Sequence, residues 1–94
     1  MFIKKIGVDL GTSSIVIAEE RNGIVIDEPS VVALTKNDET VVAIGSNAQS
    51  MLGRQPDAIQ VVRPLREGVI ADYRIAEAML TFFIKQVIGP LKII

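Results

Sequence analysis

The chain has neither cysteine nor histidine among its 94 residues. Disulfides, thiol nucleophiles, imidazole bases and zinc sites built on Cys or His are therefore excluded. The absence of cysteine also fits an intracellular, cytoplasmic protein. Charge of one sign is missing as well: ten Lys and Arg face eleven Asp and Glu, a formal net charge of -1 with no basic block. That balance argues against a general electrostatic grip on nucleic acid and against a patch for acidic lipid. No apolar run reaches the roughly 18 residues of a membrane span. The apolar start is cut by Asp9 too early for a secretory leader.

What is present is a core-forming composition, 49% hydrophobic and 22% charged. Residues 3–8 carry the β-branched apolar Ile3, Ile6 and Val8 and stop at Asp9-Leu10-Gly11-Thr12, which reads as a strand entering a turn. Residues 15–18 read as a second strand and Asn22-Gly23 as the next turn. A third strand starts at Ile24, is interrupted by Glu28-Pro29 and resumes at 31–34, since proline cannot donate to a ladder. Short turns between these strands predict an antiparallel meander. Residues 41–44 form a fourth strand; Ser46 is placed to cap a short helix reaching Leu52, with Gly53 at its end. Residues 59–63 are extended and Pro64 closes them.

Asp72 is a suitable N-cap for a long last helix. The pairs Ile75/Ala76, Met79/Leu80, Phe83/Ile84 and Val87/Ile88 recur every four residues and mark one apolar face, which Gly89-Pro90 ends. Glu77, Thr81 and Lys85 make its solvated side. The predicted fold is α/β, with a sheet carrying a helix on one face. So much apolar surface in so short a chain implies further protein that covers part of it.

The chemistry-bearing segment is Asp9-Leu10-Gly11-Thr12-Ser13-Ser14. Phosphate needs convergent N–H donors: Gly11 lets the backbone approach closely, and three hydroxylated residues add donors. A carboxylate this near a phosphate requires an intervening cation, and Asp9 suggests hydrated Mg²⁺. A strand follows the glycine rather than a helix, and the P-loop lysine is missing, which separates the pattern from P-loops and dinucleotide fingerprints. The hexapeptide alone serves equally as a tight hairpin turn. Glu28 reads as a turn residue before Pro29, and Arg54, Arg63 and Arg66 as ordinary exposed charges or contacts to a neighbouring subunit.

Ile6-Gly7-Val8-Asp9-Leu10-Gly11-Thr12 resembles the first phosphate motif of the actin, Hsp70 and sugar-kinase superfamily. Three further stretches resemble the MreB family of bacterial actins, in the same order along the chain: Glu28-Pro29-Ser30-Val31-Val32-Ala33-Leu34, Ile44-Gly45-Ser46-Asn47-Ala48-Gln49-Ser50-Met51-Leu52-Gly53-Arg54, and residues 63–73, which begin Arg63-Pro64-Leu65. The resemblance implies the N-terminal portion of an actin-like ATPase (ribonuclease H-like) domain. Residues 1–34 and 64–94 would belong to its subdomain IA, with 35–63 as a small inserted subdomain IB. It implies ATP as ligand, with Gly11, Thr12, Ser13 and Ser14 on the β- and γ-phosphates and Asp9 orienting the water shell of Mg²⁺. It also implies filaments that determine cell shape by organising cell-wall synthesis. The family usually has Ala-Asn where this chain has Ser13-Ser14, which keeps the backbone donors and loses the Asn contact. Asp57 stands where Gly or Ala is usual.

No catalytic residue is assigned, because the opposing wall of such a site is expected beyond Ile94. The chain by itself is therefore expected not to hydrolyse ATP and to bind it weakly or not at all. A sugar-kinase or Hsp70-like lobe on the same fold is the alternative reading. The apolar tail Leu91, Ile93 and Ile94 suits either a loop that dips into a membrane surface or entry into a further buried strand. A piece of a longer chain would self-associate through its open edges and helix face.

Overall fold

A computed structural model describes residues 5–66, 69–70 and 72–89. Leu91, Ile93 and Ile94, assigned above to a membrane surface or a further strand, lie outside the described residues. Strands β1 (Ile6–Leu10), β2 (Ser14–Glu19) and β3 (Gly23–Pro29) form an antiparallel sheet in the order β1-β2-β3, the expected meander. Its register pairs Val8 with Ile17 and Leu10 with Ile15, and Ile17 in turn with Ile26. Side chains alternate across the sheet, so Ile15 and Ile17 enter the core while Val16 sits on the other face between Asp9 and Asp27. Gly23, at φ 73, closes the second turn as Asn22-Gly23 predicts.

The stretch 24–34 is two strands and not one interrupted strand. Pro29 ends β3; the Val31 amide donates back to the Pro29 carbonyl at 2.9 Å, and this tight turn sends the chain out of the first sheet. The continuation, β4 (Val32–Thr35), is the centre of a second antiparallel sheet with β5 (Val41–Ile44) and β6 (Ile59–Val62), in the order β5-β4-β6. Its run Val31-Val32-Ala33-Leu34 is buried throughout. Val32 and Leu34 join the main core, and Val31 and Ala33 a smaller cluster with Ala48. A central strand covered on both faces reads as a continuous apolar run, which conceals the change of sheet.

Helix α1 (Ser46–Gln49) is shorter than expected. Its N-cap is Gly45 at φ 71, and the Ser46 side chain makes no cap. Beyond β6 a small hairpin, β7 (Leu65–Arg66) with β8 (Val69–Ile70), follows Pro64. Two-residue strands carry too little periodicity to be seen in sequence. Helix α2 (Tyr73–Ile88) is capped by Asp72, whose carboxylate accepts from the amides of Arg74 at 3.0 Å and Ile75 at 3.2 Å. Gly89, at φ 93, ends it. The face with Ile75, Ala76, Met79, Phe83 and Val87 is buried against Ile15, Ile17, Val32, Leu34 and Leu65. Each such large side chain contributes about 1.5–3 kcal/mol by leaving water. One core thus spans both sheets under α2.

Candidate functional site

The β1–β2 turn is the site the sequence singles out, and its geometry is built from backbone. The Gly11 amide donates to the Ser14 carbonyl at 2.8 Å, which closes the turn. A Cβ on Gly11 would lie 3.0 Å from that carbonyl oxygen, so a larger residue there would press on the turn. Gly11 therefore contributes shape, with its own amide committed within the turn. Thr12 and Ser13 are exposed and Ser14 is half-buried at the head of β2. The strand pair that carries them is anchored by Ile15 and Ile17, both fully buried, so the turn rises from the core-packed part of the sheet.

Asp9 is exposed on β1, paired with Val16, on the face away from the core. Among the described residues no group of three or more His, Cys, Asp or Glu could hold a metal ion. Asp9 could thus offer a cation one carboxylate, the remaining ligands being waters and phosphate oxygens, which suits Mg²⁺. The exposed hydroxyls at 12 and 13, beside a turn that glycine lets close tightly, could meet a phosphate group.

Ser30 also belongs to the turn. It is fully buried, and its hydroxyl donates to the Gly11 carbonyl at 3.0 Å while its amide donates to the Ser13 carbonyl at 3.0 Å. Its sequence signal is a single polar residue in the apolar stretch 29–34, directly after the proline that ends β3. Glu28 is also more than a turn residue: its carboxylate accepts from the Ser46 amide at 2.8 Å. Arg54 donates to the Ser50 carbonyl at 3.0 Å and closes the end of α1.

Two clefts lie elsewhere. An apolar one of about 180 Å³ runs between Leu10, Leu65, Ile70, Met79 and Leu80. A more polar one of about 310 Å³ is edged by Glu39, Gln60, Arg63, Arg66 and Asp72. Neither is lined by residues 11–14.

The family model for MreB/Mbl proteins matches residues 3–93. The cell shape-determining protein Mbl of Bacillus cereus is 51% identical over 86 residues, covering 92% of this chain and 26% of that protein. The crystal structure of MreB5 of Spiroplasma citri bound to ADP superposes with a TM-score of 0.81 at 33% identity, covering 87% of this chain and 25% of the other. A MamK double helical filament superposes with a TM-score of 0.71 at 26% identity, over 92% of this chain and 29% of the other. The chain spans about a quarter of the length of these proteins.

Proposed function

Because the chain belongs to the MreB/Mbl family, we propose that it serves as the N-terminal segment of an ATP-dependent, actin-like filament protein of the cytoplasm that determines cell shape by organising cell-wall synthesis. In this reading residues 1–34 and 64–94 contribute to subdomain IA and 35–63 to subdomain IB. The observation that carries it is the glycine-closed turn at 11–14, set on a strand pair anchored in the core, at the place where the sequence carries its phosphate motif. The relative bound to ADP supports a nucleotide as ligand, and the filament of MamK supports self-association.

Thr12, Ser13 and Ser14 would offer N–H and hydroxyl donors to the β- and γ-phosphates, and Gly11 would let the backbone come close. Asp9 would orient waters of a Mg²⁺ ion that neutralises the phosphates. When bound, the nucleotide supplies the phosphoanhydride; this chain's residues bind and orient it from one side. With one wall, residues 1–94 alone should bind Mg-ATP far more weakly than micromolar, as calorimetry would measure.

The test is a chimera in which residues 3–93 replace the matching segment of Bacillus cereus Mbl. The chimera is expected to bind Mg-ATP and to support normal cell shape, and its Gly11→Val form to lose both. A Gly11→Val chimera that folds and keeps its nucleotide affinity overturns the proposal.

A further inference from the structure

We infer that Ser30 is a positioning residue that sets the 11–14 turn in phosphate-receiving shape before any ligand arrives; this rests on the phosphate reading of that turn. Ser30 is the buried polar residue among those described, at 0% exposure. A hydroxyl in that position has no water to turn to, and it spends its proton on the Gly11 carbonyl at 3.0 Å. The same residue's amide holds the Ser13 carbonyl at 3.0 Å. One residue thus grips both sides of the turn from beneath, while the Gly11 amide takes the Ser14 carbonyl at 2.8 Å.

The consequence follows from peptide planarity. In a trans peptide the carbonyl of one residue and the N–H of the next point in opposite directions. Holding the Gly11 carbonyl toward Ser30 directs the Thr12 N–H away from Ser30. Holding the Ser13 carbonyl there does the same for the Ser14 N–H. The three bonds also occupy carbonyl oxygens at 11, 13 and 14, whose negative ends would otherwise be free to face a phosphate. Donors fixed in advance cost no reorganisation on binding, which is where a preformed anion site gains over a mobile loop. Ser30 can do this because Pro29 ends β3 and the tight turn from Pro29 to Val31 places its side chain under the neighbouring hairpin.

The experiment uses the 94-residue chain, isotopically labelled, with Mg-ATP as probe. In the unsubstituted chain the Ser30 hydroxyl proton should be visible and slow to exchange. Amide order parameters at 12–14 should be near those of rigid backbone, about 0.85. In Ser30→Ala, which is smaller and fits the same space, they should fall below about 0.6 while those of Ile15 and Ile17 stay unchanged. Shifts induced by millimolar Mg-ATP at 12–14 should then need about tenfold more ligand, the equivalent of one hydrogen bond. Ser30→Thr, which keeps the hydroxyl, should restore both readouts. A folded Ser30→Ala chain with unchanged order parameters and unchanged shifts overturns the inference and leaves the phosphate reading standing. No Mg-ATP shift at 12–14 in either this chain or the Mbl chimera carrying residues 3–93 overturns the phosphate reading, whatever Ser30 does to the turn. A rapidly exchanging Ser30 hydroxyl overturns the clamp without any substitution.

Discussion

The Glu28 carboxylate accepts a hydrogen bond from the Ser46 amide at 2.8 Å, joining the last strand of the first sheet to the helix that covers the second. The first turn of α1 has no side-chain cap of its own, so a residue 18 positions earlier supplies the acceptor. The chain between them must come close, and Gly45 is the point of contact. A Cβ there would lie 2.5 Å from a Glu28 carboxylate oxygen and 2.9 Å from the ring of Phe83 on α2. Both sheets and the long helix thus meet at one glycine.

Gly45→Ala should therefore destabilise the chain by more than its backbone term. At φ 71 and ψ -134 the backbone lies in a region that is almost exclusive to glycine, which alone costs an alanine about 1–3 kcal/mol. The contacts with Glu28 and the buried Phe83 should add about 1–3 kcal/mol of overpacking. Gly23→Ala is the control, because Gly23 has φ 73 and nothing within 4 Å of the added carbon. Urea midpoints measured side by side should fall further for Gly45→Ala; equal losses would show that the junction yields freely.

Removing the acceptor tests the same junction without the backbone. Glu28→Ala should cost about 1–2 kcal/mol, because the Ser46 amide loses a charged partner. Glu28→Gln keeps an acceptor oxygen and should lose less than half as much. Urea titration gives both values, and a Glu28→Ala chain as stable as the original would remove the residue from the account.

The same region shows what was legible beforehand. The meander, strand β5, the Asp72 cap and the buried stripe of α2 could all be read, because each rests on local periodicity or a local cap. The departure of β4 into a second sheet could not, since Val31-Val32-Ala33-Leu34 reads as one apolar run whichever sheet receives it. The cap of α1 falls on Gly45 and not on Ser46 for a related reason: its acceptor, Glu28, is distant in sequence. In the candidate site, Asp9 through Ser14 were legible as turn chemistry next to a strand. Ser30 was not, because its partners are set by the pairing of Ser14 with Pro29 and not by its neighbours.

The 35–40 loop carries a prediction with a definite sign in pH. The Thr35 hydroxyl donates to the Asp38 carboxylate, and the Thr40 hydroxyl and amide add bonds at 3.0 and 3.3 Å. These donors, Thr35 first, lower the Asp38 pKa below the ordinary aspartate value. A depressed pKa means that the loop's bonds are fully present above the unfolded-state value and are lost as pH falls through the folded one. Carboxyl carbon shifts followed through an acid titration should place the Asp38 midpoint low, and Thr35→Val should move it up. A midpoint at the ordinary value in the unsubstituted chain would show that the hydroxyls do not hold the carboxylate in solution.

Asp9 separates a cation role from a structural one. It is exposed on β1 and faces away from the core, so Asp9→Asn changes charge at nearly constant shape and should leave the fold intact. In the Mbl chimera its effect should depend on the metal. With Mg²⁺ present, affinity for ATP should fall about tenfold, as expected when one charged partner of an ion's water shell is lost. With Mg²⁺ chelated the sign should reverse or vanish, because the substitution then removes only a negative charge near the anionic phosphates. Paired titrations with and without chelator give the difference directly. An equal loss in both would mean that Asp9 shapes the turn and has no part in orienting a cation.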